Sequence, residues 1–519
     1  GPPLRQALQD DGWKRAMKDE WDSFIEQGVY TLVPRAAARG SQVLRAVWVL
    51  TEKTTATGET ILKARCCVDG SRAWEQGESY APVIDKDSLR IILGLAWGRG
   101  MHVENFDVKT AYLYGTLDQP RYMEIPAGVL PKTDRSKYVL KLLKSVYGLP
   151  EAGRVWNDTF SDYVITKMGF KRMVSSPAAY AHTSSEGSSY IAVHVDDGAI
   201  ASPNEHVTQS LLTALKNRFN LKVMGIAPRF LGLQQELLRS GDLLWHQQEK
   251  VTALLETFDD QTLRPATIPL STTSMDKINQ ASGPVLEPDL AQRYHSAVGS
   301  ALYLVQNCRV DIALAAGILA RFVQEPRVEH WNALLLLLGY LKQTSKAGIL
   351  FKRGAQSPNK RVDITVYTDA DFATVDEDSK STSGVLIYVG GVLVAFASKK
   401  QTTVARSTTE AEGLALKYAL TLLEFIAQVL GELGMKHNTP VVLEDNTAVI
   451  AFLMHGPRAY KARTKHLIVA FNFCRQMVRS GIVVLRHVPS TDQLADLLTK
   501  PLTRVCFERL RSLLGMGGI

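Results

Sequence analysis

The sequence predicts a mixed α/β (α+β) protein, and three observations carry that prediction. Its 519 residues are too many for one hydrophobic core. Apolar residues recur three and four apart in some stretches and alternate with polar ones in others. The last third runs strand, strand, strand, helix, strand, helix, strand, helix, an order that implies a mixed sheet with helices on its faces.

Taken in order, residues 1–30 space Trp13, Met17, Trp21 and Phe24 as one face of a helix. From Leu44, VLRAVWVLTEK and ETILKARCCVDG read as two strands around a Thr/Gly turn. SLRIILGLAWGRG reads as a helix, and HVENFDVKTAYLYG as a short strand running into one. A long helix is expected within 138–168. YIAVHVDDGAIAS, residues 190–202, reads as a strand, a tight Asp-Gly turn and a second strand. EHVTQSLLTALKNRF is the next helix and RFLGLQQELLRSGDLLWHQ the next hairpin, and helical periodicity dominates 247–350. The polar, basic KRGAQSPNKR at 352–361 reads as a linker. Beyond it come the strands VDITVYTDADF, GVLIYVGG and VLVAFASKK, a helix over about 407–433, the strand PVVLEDN, more helix, the strand IVVLRHV and a final helix.

A hydrophobic content of 45% and a charged content of 22% are those of an ordinary globular protein. The net charge of +8 leans toward a polyanionic partner such as nucleic acid, although an ordinary basic enzyme fits it as well. Cys66, Cys67, Cys308, Cys474 and Cys506 are an odd, scattered set without metal-ligand spacing, which favours a reducing compartment over a disulfide scaffold. The apolar run Ala333–Leu341 is too short to span a bilayer, and no membrane partner is expected.

Asp-Asp pairs occur three times, at Asp10-Asp11, Asp196-Asp197 and Asp259-Asp260, and acids are common turn residues. The flanks distinguish the second pair: Ile191, Val193 and Val195 put its strand in a core. Carboxylates held near a core repel each other and are costly to desolvate, and a hard divalent cation relieves both problems. Asp107 likewise ends an apolar stretch, and three such acids suit a two-metal phosphoryl-transfer site. Spacing alone does not bring Asp107 and Asp196 together.

FDVKTAYLYG, YMEIPAG, SVYGLPEAGRVW and HVDDGAIAS, in that order, resemble the reverse transcriptase of copia-type LTR retrotransposons, and ILKARCCVDG, YAPVIDKDSLR and LGLQQEL fit the same pattern. The resemblance implies a right-hand polymerase with fingers, palm and thumb. It implies that Asp107, Asp196 and Asp197 bind the metals, with the backbone of Val108 lining the triphosphate site. It implies that Tyr112 excludes a ribose 2′-hydroxyl and that Lys63 and Arg65 grip the incoming triphosphate; without the family, a core tyrosine and solvated cations describe the same residues. Two positions depart from the pattern. His194 replaces the usual tyrosine beside the primer end. Glu151 replaces a glutamine near the nucleotide, with Gly153 where proline is common, and a glutamate there weakens binding unless a cation screens it.

The last third has its own acids at strand ends and helix starts: Asp369 in VYTDAD, Glu410 in STTEAEGLAL, Asp445 in VVLEDN, and Asp496, placed in the last helix, in DQLADLLTK. Singly, each reads as a capping or surface acid; together, in this order, they suit a second two-metal site. YTDADF, STSG, SKKQ, STTEAE, TKHL and ADLLTKPL resemble the copia-type RNase H domain. The resemblance implies hydrolysis of RNA paired to DNA, with Asp369, Glu410, Asp445 and Asp496 holding the metals. His487 and His466 read as structural or surface histidines. Lys399, Lys400, Arg458, Lys461, Arg463 and Lys465 are a candidate phosphate-contacting set or a solvated face.

The expected protein is thus an RNA- and DNA-directed DNA polymerase with RNase H activity. It is expected to use Mg²⁺, two ions per active site with Mn²⁺ able to substitute, and to act on RNA template, DNA primer, dNTPs and RNA–DNA hybrid. The expected division is fingers and palm over 1–244, thumb or connection over 245–351, a linker at 352–361 and the RNase H unit over 362–519. The expected location is the cytoplasm, within virus-like particles, with the nucleus as a further compartment. The rival readings are a polymerase of another lineage and a domesticated nucleic-acid-binding chain without polymerase activity; all seven acids are present, which disfavours the latter.

Overall fold

A six-stranded antiparallel sheet occupies the centre of the N-terminal half, in the order Leu221–Val223, His102–Val108, Asp197–Ser202, Gly187–His194, Ala179–Ser184, Lys171–Arg172. The structure, a computed structural model, describes residues 1–54, 59–73, 78–258, 263–357, 360–372, 380–455 and 465–519, with the side chains of 53, 54 and 465–470 outside the description. Tyr190, Ile191, Ala192 and Val193 are all buried, so this strand is covered on both faces rather than one. Helices Leu95–Gly98, Ala152–Thr166 and Glu205–Lys216 pack on the sheet.

The hairpin turn falls two residues earlier than the Asp197-Gly198 dipeptide suggests. His194 pairs with Asp197, so the two-residue turn is Val195-Asp196, and Gly198 lies within a strand opposite Val193 and Phe106. The glycine serves packing: a Cβ at 198 would lie 2.2 Å from the Phe106 ring. Val195 takes φ +60, a region where a β-branched residue is strained.

Helix Asp11–Glu26, capped by Asp10, packs Met17, Trp21 and Phe24 against the ribbon of Ala46–Thr54 and Thr60–Val68. Along that ribbon Ala64, Cys66 and Val68 turn inward, which places Lys63, Arg65 and Cys67 on the opposite face. Helices Gln248–Leu255, Thr272–Asn279, Pro288–Asn307, Ala313–Ala320 and Val328–Gln343 form a bundle whose core continues into Leu386 and Leu393 of the last sheet and into Leu494, Leu497 and Leu498. Inside it Arg309 and Asp311 form a fully buried bidentate pair, both hydrogen bonds 2.8 Å long. Burial alone would raise the Asp311 carboxyl, but the guanidinium and the Tyr340 hydroxyl hold it below its ordinary value. The bundle grows from a five-stranded sheet ordered Arg229–Phe230, Leu233–Leu237, Leu243–His246, Gly348–Phe351, Met516–Gly517.

The last sheet has the order Val392–Lys400, Thr382–Val389, Ile364–Asp371, Val441–Glu444, Val484–His487. The first three strands are antiparallel, and the last two join in parallel. This is the mixed sheet with helices on its faces that the order of elements in the last third predicts. Helix Thr408–Glu432 packs on it and is, by length and composition alone, apolar enough to cross a membrane; its buried face instead fills the core of this sheet. Asp496 sits on a short 3₁₀ segment, Leu494–Leu498, and not on the final helix, which is Arg504–Leu513. Arg90 ties the pieces together: its guanidinium donates to the carbonyls of Gln306 (2.6 Å), Asn307 (3.0 Å) and Val394 (3.4 Å) and pairs with Asp87 at 2.8 Å.

Candidate active sites

The central sheet aligns its acids by register. Asp197 stands directly opposite Asp107, His194 opposite Asp197, and Lys222 opposite Asp107 on the other side. Directly opposed residues share a face, so His194, Asp197, Asp107 and Lys222 form one row across the sheet. Two carboxylates facing each other in such a row repel, which favours a cation beside them. Asp196 occupies the turn, and its carbonyl accepts the Val108 N–H at 2.8 Å. The turn therefore anchors to the strand end that carries Asp107.

Tyr112 is half-buried on the 3₁₀ turn Ala111–Tyr114 that follows; burial, and then the nearby Asp196 charge, raise its phenol. Its ring meets Tyr147 edge to face, centroids 4.8 Å apart. The Arg65 guanidinium lies over Tyr147, 5.1 Å from the ring centre. The structure thus brings Arg65 toward the acids through these two rings. Lys63, two residues further out on the same face, is exposed. Glu151 precedes helix Ala152–Thr166 with its side chain only 9% exposed, and Arg121 donates to it at 2.8 Å. Arg121 is the screening cation that a glutamate at this position requires. The second carboxylate oxygen of Glu151 is buried without a hydrogen-bond partner.

The second cluster corrects one residue. Asp369, Glu412 and Asp445, not Glu410, offer ligand oxygens within 4.8 Å of one another. Among the described residues this is the one group of acids that close. Glu410 is two residues from Glu412, hence about 200° around the helix, and serves the helix end instead. Ser407 caps the N–H of Glu410, and the Glu410 carboxylate accepts the Arg406 N–H at 2.7 Å. Asp369 accepts a hydrogen bond from the Thr499 hydroxyl, and Asp445 one from Ser490 at 2.8 Å. Lys500 Nζ lies 2.8 Å from Asp496 and 3.9 Å from Asp369, joining the fourth acid to the set.

Burial and mutual repulsion dominate the electrostatics. Burial, then the Asp369 charge, push Asp496 up to about 7. Burial, then the neighbouring Glu444, push Glu412 up to about 11. Burial also raises Asp369, and raises Glu444 well above the carboxylate range. Glu444 is a fifth acid that the sequence reading passed over. Glu412 Oε2 and Glu444 Oε2 are buried without hydrogen-bond partners, so this oxygen-rich nest suits a divalent cation. His487 is exposed on the strand end opposite Glu444. The side chain of His466 lies outside the described residues, as do Arg458, Lys461, Arg463, the Lys465 side chain and the Asp259-Asp260 pair. Lys399 packs over the Tyr418 ring at 5.1 Å.

Residues 27–272 match the family described as reverse transcriptase (RNA-dependent DNA polymerase). The chain is 33% identical over 515 residues to the retrovirus-related Pol polyprotein from transposon RE2 of Arabidopsis thaliana, an alignment covering 98% of this chain and 34% of that one. It is 33% identical over 519 residues to the polyprotein from transposon TNT 1-94 of Nicotiana tabacum, covering 97% and 38%. The chain thus spans about a third of the length of the curated relatives it matches. A foamy viral protease-reverse transcriptase solved in complex with double-stranded DNA aligns with a TM-score of 0.49 and 12% identity, over 92% of this chain and 70% of that one.

Proposed function

Because the chain belongs through residues 27–272 to the reverse transcriptase family, and resembles copia-type elements over nearly its whole length, we propose that it copies RNA and DNA templates into DNA and removes RNA from the resulting hybrids. The observation that supports the polymerase most directly is the register that sets Asp107 opposite Asp197 with Asp196 at the adjoining turn. Asp107, Asp196 and Asp197, with the Val108 backbone, would hold Mg²⁺ or Mn²⁺ there. Asp369, Glu412, Asp445 and Asp496 would hold it at the second site. When bound, a divalent pair activates the attacking oxygen and stabilises charge on the phosphate.

The chain's own side chains supply the rest. Arg65, with Lys63 further out, would neutralise an incoming triphosphate. Tyr112 would stand against the sugar and exclude a 2′-hydroxyl. Arg121 keeps Glu151 from repelling the phosphates. At the second site Lys500 and Thr499 would hold Asp496 and Asp369 in place while water attacks the RNA strand. RNA template, DNA primer, hybrid and dNTPs are the proposed partners. We read 1–244 as fingers and palm, 245–351 as thumb or connection, 352–361 as linker and 362–519 as the nuclease unit, in a protein working in the cytoplasm.

Primer extension on poly(rA)/oligo(dT) with Mg²⁺ tests the polymerase. Wild type should extend and Asp196→Asn should not; no extension by wild type would sink the assignment. Cleavage of a labelled hybrid tests the nuclease, which should fail in Asp445→Asn; cleavage that survives this change refutes it.

A further inference from the structure

We infer that Tyr147 is a positioning residue for nucleotide selection, holding Tyr112 and Arg65 in one fixed arrangement. This rests on the polymerase reading and adds an uncharged residue to it.

The backbone at Tyr147 is clamped. Its carbonyl accepts the Val68 N–H at 2.8 Å, and it bridges to Cys67 in parallel. Gly148 has φ +92, and a Cβ there would lie 2.0 Å from the Val68 carbonyl oxygen. A Cβ at Gly70 would meet the Gly148 carbonyl just as closely. Two glycines therefore let the Tyr147-Gly148 segment lie flush against the end of the strand that carries Arg65.

The ring uses that fixed position on two sides. Its contact with Tyr112 is edge to face at 4.8 Å, a favoured aromatic geometry. The Arg65 guanidinium sits over it at 5.1 Å, and Arg65 Nε is buried without a hydrogen-bond partner, so the ring is a principal contact orienting that cation. Tyr112 lies toward the sugar and Arg65 toward the triphosphate. Tyr147 sits between them and links discrimination at the sugar to grip on the phosphates. A side chain without an aromatic face leaves both partners free to shift.

The test is single-nucleotide insertion with dNTP and rNTP by wild type, Tyr147→Phe, Tyr147→Leu and Tyr147→Met. Leu and Met fill the space without an aromatic face, and Phe keeps the face. In Leu and Met the preference for dNTP over rNTP should fall about 10-fold, and KM for dNTP should rise about 5-fold with kcat changed less. Phe should restore both. Hybrid cleavage by the same preparations should match wild type, which reports that the variants are folded. Wild-type selectivity in a folded Leu or Met variant overturns the inference, as does an equal loss of extension and hybrid cleavage that Phe does not rescue. No extension by wild type overturns the polymerase reading and this inference with it; normal wild-type extension with unchanged selectivity in the variants overturns this inference alone.

Discussion

Trp156 donates its indole N–H to the carbonyl oxygen of Val195 across 2.6 Å, so a buried aromatic holds the strained turn between Val195 and Asp196. The indole is fixed by Tyr114, Phe160 and Phe219, with ring centroids 5.4–6.2 Å away. Trp156→Phe keeps most of this packing but removes the donor, and a lost buried hydrogen bond costs about 1–3 kcal/mol. Extension by this variant should slow about 10-fold, the rate equivalent of 1.4 kcal/mol, while hybrid cleavage is retained. Steady-state extension kinetics check this, and an unchanged rate would show that the turn holds itself.

Glu410 and Glu412 can be separated by paired substitutions. Glu412→Gln removes an acid from the nest at Asp369 and Asp445 and should abolish hybrid cleavage. Glu410→Gln keeps a hydrogen-bond acceptor at the helix start, should leave cleavage within about threefold of wild type, and should lower stability by at most about 1 kcal/mol. Cleavage assays beside thermal melts decide the matter. Loss of activity in Glu410→Gln with full activity in Glu412→Gln would reverse the assignment.

The raised carboxyls make a pH prediction for the metal-free protein. Asp496 holds its proton up to about pH 7 when folded but releases it near the ordinary carboxylate value when unfolded. Unfolding therefore releases a proton between these values. The stabilisation is complete below about pH 4 and lost as pH rises through about 7. Melting temperature in EDTA should fall over this window, and Asp496→Asn should flatten the fall. The same slope in both proteins would contradict the reading.

The Arg309–Asp311 pair, which belongs to neither cluster, gives a stability prediction. Asp311→Asn leaves a fully buried guanidinium without its counter-charge, which costs about 3–5 kcal/mol. Urea unfolding should register the loss. A change below about 1 kcal/mol would mean that the guanidinium finds compensation from Thr344, to which it already donates.

The acids at strand ends were legible because each ends an apolar run, a place where a charge needs a reason. Asp107, Asp196, Asp197, Asp369 and Asp445 all follow that pattern. Glu412 was not read because STTEAE holds two glutamates and spacing does not rank them. One signal was present: Ser407 and Glu410 stand three apart, the signature of a capping pair, which commits Glu410 to the helix end. The Asp-Gly turn was misplaced for a related reason. Asp-Gly is a strong hairpin signal, but here Phe106, 92 positions before Gly198, sets the demand for glycine. Tyr147 carries no local signal, because its neighbours Arg65 and Tyr112 meet it only in the folded chain.

Met516–Gly517 pair with Gly348–Ile349, the strand from which the path toward the last sheet departs. Phe507 and Leu510 sink into the helical bundle nearby, and Arg511 reaches the Tyr340 hydroxyl at 2.9 Å. The polypeptide returns to its point of departure, so the lobe built on the last sheet is moored at both ends like a loop stitched to one hem. Severing the stretch 352–361 should yield two fragments that still co-elute, because the covalent tie there duplicates one made by packing.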